Sequence, residues 1–188
     1  IEGIKVEKDR LLNLSLAYES HPDNITPAVM GGFNVASVHE NEVKFITKSI
    51  PRTLRAVVVV PNRPISTTLS RKTLPYKYSK EDTIFNISHS SLLTAAFMSE
   101  NWEMLKYASA DMVHQQFRMR HMPELFEVQK TALKNGALMS TLSGSGSTFF
   151  SVAYSEDSQK LELALKEKFP HFRVMSVDFD NNGVKIEI

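Results

Sequence analysis

The sequence predicts an α+β protein of two domains, with a boundary near Pro51. The run Leu54–Val60 is rich in β-branched residues and is long enough for one strand that is buried on both faces. Residues 81–113 carry apolar side chains at helical spacing and predict two helices. Two further apolar runs flank a glycine turn at 143–146, and the amphipathic stretch Asp157–Phe169 follows them. After the boundary, the predicted order is therefore strand, helices, strand, strand, helix, strand, with one more terminal strand.

The first fifty residues predict a helix and a β-hairpin. The stretch Asp9–Tyr18 places its leucines and an alanine on one broad apolar face, which is typical of an amphipathic helix. The apolar runs Phe33–Val38 and Val43–Ile50 flank the polar segment His39–Glu42. Two short apolar runs around a polar turn indicate a hairpin.

The second domain contains further predicted elements and most of the predicted core. A helix is expected at Pro123–Lys134, and strands are expected at Ala137–Leu142, Thr148–Tyr154, Phe172–Phe179 and Val184–Ile188. The last two strands are separated by Asp180-Asn-Asn-Gly183, a strong hairpin signal. Most apolar side chains of the two helices in 81–113 are expected in the core, namely Ile84, Ile87, Ala95, Met98, Trp102, Leu105, Ala108 and Met112.

Composition excludes several functional classes. The chain has 22 Lys and Arg against 21 Asp and Glu, so it lacks the basic surface that a nucleic-acid partner requires. Its longest apolar run, Ala56–Val60, is too short to cross a bilayer, and no membrane partner is expected. Cysteine is absent, which excludes disulfides and thiolate metal sites and fits a reducing compartment.

The segment that begins at His21 carries a dense group of functional side chains. His21, Asp23 and Asn24 fall within four residues, followed by Pro27 and a Gly-Gly pair. Asp or Asn before an apolar run is a helix-start signal, Pro27 suits a first helical turn, and the glycines end a helix of about two turns. The polar side chains are thus expected at a helix N-terminus, which favours anions. An ordinary helix cap is the alternative.

Two other segments are candidates for binding. Thr67 and Arg71 are four residues apart, so on a helix they share one face, although a surface helix with a capping threonine explains the same spacing. The segment Ser143-Gly-Ser-Gly146 can bring backbone N–H groups close to a ligand. Two glycines alone are equally consistent with a tight hairpin turn.

These segments together resemble the homoserine kinases of the GHMP small-molecule kinase superfamily. That family carries His-x-Asp-Asn followed by Pro-Ala-x-x-Gly-Gly, which is found here at 21–32. It also carries Ser-Thr-x-x-x-Arg-x-x-Leu-Pro and Ser-Gly-x-Gly-x-Thr, found here at 66–75 and 143–148. A Phe-Asn segment at 85–86 matches as well. In the glycine loop the family has Ala-Gly-Pro where residues 145–147 are Ser-Gly-Ser.

The resemblance also assigns a basic residue near the middle of the chain. Asp111 to Arg118 is similar to the family's Asp-x-x-x-x-x-x-Arg element, whose arginine binds the substrate carboxylate. Arg120 is a rival for this role, and the spacing favours Arg118.

The chemistry implied by the resemblance is transfer of the γ-phosphoryl group of ATP to the side-chain hydroxyl of L-homoserine. ATP and Mg²⁺ would be the cofactors. By the same resemblance Asn24 would touch the accepting hydroxyl, Asp23 would face the substrate ammonium and His21 would line the pocket. Glu19 would be the magnesium ligand, because the family has an acidic residue a little before this motif.

The remaining implied roles concern the amino acid and the phosphates. Thr67, Arg71 and Arg118 would hold the amino acid, and an arginine fork suits a carboxylate because two parallel N–H···O bonds fix its orientation. The glycine loop would support the phosphate side of the site through Ser143, Gly144, Ser145 and Gly146.

The resemblance finally implies a domain organisation and a larger protein. Residues 1–50 would be the end of the GHMP N-terminal domain, and 51–188 the ferredoxin-like C-terminal domain. The family's Pro-x-x-x-Gly-Leu-Gly-Ser-Ser phosphate loop is absent from the sequence. We therefore expect the C-terminal portion of a cytoplasmic enzyme of threonine biosynthesis, inactive by itself, with a homodimer left open. Another GHMP kinase, acting on mevalonate or a sugar, and a silent binding or regulatory fragment are the alternatives.

Overall fold

The structure is a computed structural model that describes residues 7–63, 66, 70 and 72–185. The chain divides into two units, one formed by 1–51 together with 179–188 and the other by 52–178. The expected division placed 179–188 in the second domain, whereas the structure groups them with the first unit.

Helices and strands of the first unit are α1 (Lys8–Ser15), α2 (Pro22–Met30), β1 (Phe33–His39) and β2 (Glu42–Lys48). Those of the second are β3 (Leu54–Val60), α3 (Lys80–Met98), a 3₁₀ turn (Trp102–Met104), α4 (Leu105–Ala108), α5 (Gln115–Met119), α6 (Glu124–Lys134), β4 (Met139–Leu142), β5 (Phe149–Tyr154), α7 (Ser155–Lys168) and β6 (Arg173–Val177).

The predicted hairpin of the first unit is present. Strands β1 and β2 pair antiparallel, from Phe33 opposite Lys48 to His39 opposite Glu42. Glu40 and Asn41 connect them with φ angles of 49° and 63°, the positive values that the tightest hairpin turns need. One face of the hairpin packs against α1 and α2 in a small core of Leu12, Ile25, Val29 and Val43.

Helix α2 ends where the sequence predicted but begins differently. Gly31 follows its last residue with a φ of 77°, as expected of a glycine stop. Pro22, rather than Pro27, occupies the first turn, and Pro27 lies inside the helix. A proline there removes the intrahelical bond to the carbonyl of Asp23. The neighbouring hydroxyl of Thr26 donates to the carbonyl of Pro22 at 2.6 Å, which adds a local bond where the ladder is interrupted.

The residues after β6 do not form the predicted hairpin. Asp180 instead accepts a hydrogen bond from the N–H of Gly32 at 2.8 Å, and the N–H of Val184 donates to the carbonyl of Val29 at 3.1 Å. A Cβ on Gly183 would lie 2.4 Å from that Val29 carbonyl oxygen. The glycine that signals a turn is therefore required for close passage of this segment over the end of α2. Val184 and Lys185 are not in a strand, and 186–188 lie outside the described residues.

The side chain of Asn181 connects the segment 180–183 to Ile50, near the end of 1–51. Its Nδ2 donates to the carbonyl of Ile50 at 2.9 Å, and its Oδ1 accepts from the N–H of Ile50 at 2.8 Å. Ile50 is buried, so these backbone groups depend on the side chain of Asn181 for their partners.

The second unit is built on a four-stranded antiparallel sheet with the order β4-β5-β3-β6. Together with the chain order strand, helices, strand, strand, helix, strand, this is the split β-α-β arrangement of ferredoxin-like folds. The predicted α+β class is confirmed. Val57 and Val59 of β3 point into the main core with Phe149, Leu161 and Leu165. Helices α6 and α7 cover this face of the sheet.

Helix α3 forms as predicted, but the predicted burial of its apolar residues is wrong. Ile84 and Ile87 are 56% and 61% exposed, and Met98 is also exposed. Ala96 and Phe97 are buried, because α3 packs mainly through its C-terminal end against the segment 102–108. Trp102, Leu105 and Ala108 in that segment are buried as expected.

We expect Asn181→Ala to destabilise the first unit. The substitution leaves the buried N–H and carbonyl of Ile50 without partners, which costs roughly 1–3 kcal/mol of unfolding free energy. Urea denaturation checks this, with Asn182→Ala as the matched control because the side chain of Asn182 is exposed. Equal midpoints for the two variants would show that the bonds to Ile50 contribute nothing.

Candidate active site

The start of α2 brings Glu19 and His21 together. His21 is the N-cap residue, and no side chain caps the helix there. The Glu19 carboxylate accepts a hydrogen bond from the backbone N–H of His21 at 3.0 Å and contacts the imidazole Nδ1. The two side chains are each 43% exposed. A carboxylate thus lies beside the positive end of a helix, where negative charge is stabilised.

Asp23 and Asn24 lie in the first turn of the same helix and are exposed. The alternative that they are ordinary helix caps does not describe this helix, because the N-cap is His21 and the cap hydrogen bond is missing. The backbone N–H of Asn24 donates to the carbonyl of His21 at 3.1 Å. Both side chains therefore point to solvent without a structural task that the described contacts reveal.

In the second unit, Arg118 lies against the glycine loop, residues 143–147. Its Nη1 donates to the carbonyl of Gly144 at 2.9 Å. The loop joins β4 to β5, and within it the N–H of Ser143 donates to Thr148 and that of Gly146 donates to Ser143. Sequence reasoning proposed Arg118 and this loop separately, and the structure places them in direct contact.

Arg120, the rival of Arg118, has a different environment. It is exposed, and its guanidinium lies over the ring of Phe117 at 5.2 Å from the ring centre. This cation–π contact joins Arg120 to a neighbouring residue on the surface and does not involve the glycine loop.

Two serine hydroxyls also secure the glycine loop, one from Ser70, which the sequence analysis did not single out, and one from Ser147 of the loop itself. Ser70 is fully buried, and its hydroxyl donates to the carbonyl of Ser145 at 2.7 Å. The hydroxyl of Ser147 donates to the carbonyl of Arg63 at 2.9 Å. The segment that contains the Ser-Thr-x-x-x-Arg motif is thus tied to the loop at Ser70. Thr67 and Arg71 themselves lie outside the described residues.

Asp111 organises the residues that precede Arg118. Its side chain is only 7% exposed and accepts hydrogen bonds from Asn86 Nδ2 and from the backbone N–H groups of His114 and Gln115. Burial alone would raise the pKa of the Asp111 carboxyl, but these hydrogen bonds outweigh it and hold the pKa below its usual value. Asp111 therefore remains an anion, and it binds the N–H groups of the N-cap residue and of the first residue of α5.

His114 lies next to this carboxylate and is partly buried. Burial lowers the pKa of its imidazole, and the nearby charge of Arg118 acts in the same direction against the opposing effect of Asp111. Its Nδ1 has no hydrogen-bond partner in the described part of the chain. The folded protein therefore favours the neutral ring.

Searches for other kinds of site gave two results for the described residues. They contain no group of three or more His, Cys, Asp or Glu side chains placed to hold a metal ion. None of their helices combines the length and the apolar character needed to span a membrane.

Comparison with known proteins finds two kinds of similarity, to a domain family and to individual proteins. Residues 90–171 match the model of the C-terminal domain of GHMP kinases. The homoserine kinase of Aliarcobacter butzleri is 81% identical over all 188 residues, and that of Nitratiruptor sp. is 59% identical over 185 residues. The chain covers 64% and 63% of these proteins, so it spans just under two thirds of their length.

The chain is thus similar to GHMP kinases, and to homoserine kinases among them. A solved structure of homoserine kinase from Cytophaga hutchinsonii shares its fold with a TM-score of 0.88 at 24% identity, covering 96% of this chain and 61% of that one. Arg118 and the glycine loop lie inside the segment 90–171 that matches the family model. The start of α2 lies outside that segment but inside the region aligned to the Aliarcobacter protein.

We expect His114 to make the protein less stable in mild acid. Its folded-state pKa is lowered, so below the unfolded value of about 6.5 the unfolded chain binds a proton that the folded chain does not. Stability from this group is present above that pH and is lost as the pH falls. When the pH falls from about 7.5 to 5.5, the melting temperature of His114→Gln should therefore decrease less than that of wild type.

The control is His121→Gln at an exposed position. Asp111 does not confuse the result, because its carboxyl titrates below this window. If the melting temperature of His114→Gln falls as much as that of wild type, another group is responsible for the acid sensitivity.

Proposed function

We propose that this chain is part of a homoserine kinase, which transfers the γ-phosphoryl group of ATP to the side-chain hydroxyl of L-homoserine. The observation that carries the proposal is the 81% identity to a homoserine kinase over every residue of the chain. The product would be O-phospho-L-homoserine, made in the cytoplasm for threonine biosynthesis. Since the 188 residues contain no Gly-Leu-Gly-Ser-Ser phosphate loop, the isolated chain should be inactive and the full-length protein should be active.

Asp23 and Asn24 are the proposed contacts to the reacting end of the substrate. Phosphoryl transfer requires positioning and charge neutralisation more than covalent help from the protein. Both side chains are exposed at the start of α2 and are not used as caps, which supports a role toward a ligand. In the proposal, Asn24 orients the accepting hydroxyl, Asp23 faces the substrate ammonium and His21 lines the same pocket.

The proposed contacts that hold the amino acid are Thr67, Arg71 and Arg118, with the two arginines on its carboxylate. A guanidinium holds a carboxylate by two parallel hydrogen bonds, which fix orientation as well as charge. The bond from Arg118 to Gly144 supports this role, because it holds the arginine on one side.

Two features of the described residues fit ATP and Mg²⁺, namely the carboxylate of Glu19 and the open backbone at Gly144. Glu19 offers a carboxylate beside the positive end of α2, and Mg²⁺ in phosphate sites commonly uses one or two carboxylates together with phosphate oxygens and water. At Gly144, apart from its chain neighbours, no heavy atom of the described residues lies within 4 Å of where a Cβ would be, so the backbone there is open to a close approach. Glu19 would hold the cation, and residues 143–146 would support the phosphate side. The bound nucleotide would supply the transferred group.

The test of the function uses purified full-length protein with ATP and a set of acceptors. Phosphorylation of L-homoserine, with mevalonate and sugars unreactive, supports the proposal. Preference for mevalonate or a sugar would assign a different GHMP activity. Full-length protein that phosphorylates none of them would favour a silent binding or regulatory role.

We expect Asn24→Ala in the full-length enzyme to lose on the order of 100-fold in kcat, because the accepting hydroxyl is no longer oriented. Asp23→Asn removes the charge that faces the ammonium, so KM for homoserine should rise more than kcat falls. Since neither side chain caps α2, both variants should keep their melting temperature.

Steady-state kinetics and differential scanning fluorimetry on the same preparations measure these effects. Two variants that melt several degrees lower with wild-type kcat and KM would show that these residues are structural.

We expect Arg118→Ala to lower kcat/KM for homoserine by roughly 30- to 1000-fold, equivalent to about 2–4 kcal/mol of transition-state binding. Arg118→Lys should recover little, since a point charge cannot replace the fork. Arg120→Ala is the matched control, because Arg120 is exposed and lies over Phe117. Equal kinetics for Arg118→Ala and wild type would place the carboxylate contact elsewhere.

A further inference from the structure

Helix α5 begins at a buried polar network centred on Asp111. Asn86 of α3 donates to Asp111 Oδ1 at 2.9 Å, and its own Oδ1 accepts from the N–H of Met112 at 2.7 Å. Asp111 Oδ2 accepts from the N–H groups of His114 and Gln115 at 2.9 and 2.6 Å. These four hydrogen bonds fix the segment that leads into a helix only five residues long.

Gln115, the first residue of that helix, reaches the last residue of β4. Its Oε1 accepts a hydrogen bond from the backbone N–H of Leu142 at 2.9 Å, and Gln115 and Leu142 are 7% and 5% exposed. Strand β4 is at the edge of the sheet, where backbone groups need partners from outside the ladder. A buried N–H that lost this partner would keep its desolvation cost.

Helix α5 therefore contacts the glycine loop region at two points. Gln115 holds Leu142, the residue immediately before the loop, and Arg118 donates to Gly144 within it. The two contacts come from residues three apart on one short helix, so a shift of the helix moves both together. Ser70 contacts the carbonyl of Ser145 separately.

We propose that Gln115 is a positioning residue that, with its backbone held by Asp111, sets the glycine loop relative to Arg118. The proposal rests on the function proposed above, in which Arg118 binds the substrate and the loop supports the phosphate side. Gln115 itself touches neither group in this scheme. Gln115 instead determines the position of the glycine loop relative to Arg118.

The experiment uses full-length protein and three variants at one pair of adjacent residues. Gln115→Met keeps the length of the side chain but removes the acceptor, and Gln115→Glu keeps an acceptor oxygen. Gln116→Met is the control, because the Gln116 side chain donates to the carbonyl of Met112 within its own segment and does not contact the loop. Homoserine phosphorylation is measured together with amide hydrogen exchange of residues 142–147.

Gln115→Met should lower kcat about 10- to 100-fold and speed the exchange of the loop amides, because the loop is misplaced relative to Arg118. Gln115→Glu should stay close to wild type in both measurements, and so should Gln116→Met. If Gln115 only stabilised the fold, Gln115→Met would not lose kcat while it remains folded at the assay temperature. Recovery of kcat in Gln115→Glu would then have no cause.

Wild-type kcat and wild-type loop exchange in Gln115→Met would overturn the proposal, and so would equal losses in Gln115→Met and Gln116→Met. If Gln115→Met does not fold, Gln115→Asn makes the same test, since its shorter side chain keeps the amide but falls short of Leu142. If wild-type protein does not phosphorylate homoserine, the proposed function fails. Loop exchange then still decides whether Gln115 positions the loop.

Discussion

The second unit depends on the buried carboxylate of Asp111. A carboxylate taken out of water is costly unless hydrogen bonds replace its hydration, and here a side-chain amide and backbone N–H groups do so. The same bonds connect α3 to the start of α5. Because α5 carries both Gln115 and Arg118, this anion supports two of the contacts to the glycine loop region, beside those of Ser70 and Ser147.

Much of the fold was predictable because local pattern and tertiary burial agree. The β-branched run at 54–60 and the alternating runs around residues 40–41 and the glycine loop form the strands expected of them. Helix α3 shows where this reasoning fails. Helical spacing predicted its existence, but Ile84 and Ile87 are exposed, since periodicity reports a helix face and not what covers it. The hairpin turn predicted at 180–183 is wrong for a related reason. Its Asn and Gly residues resemble a local turn sequence, but they are needed for contacts with distant parts of the chain.

The candidate site divides in the same way. Motif resemblance selected Arg118 and the glycine loop, and the structure brings these together. It also selected Asp23 and Asn24, and their side chains prove to be exposed and not caps, which physical reasoning from the sequence could not decide. Gln115 and Ser70 were missed because a buried glutamine or serine has no signature in one sequence. Their importance appears only when the atoms that they bond are known. The roles of Thr67 and Arg71 rest on the motif alone.

The discontinuous make-up of the first unit has a consequence for the order of folding. Residues 52–178 form a contiguous unit that can fold as soon as it leaves the ribosome, whereas the first unit joins 1–51 to 179–188 across that whole insertion. Its hairpin and helices must wait for the last segment before the end of α2 obtains its contacts with Asp180 and Gly183. Closing so long a loop slows assembly more than it weakens the product. Residues 7–51 are therefore expected to be among the last to reach their final structure during synthesis.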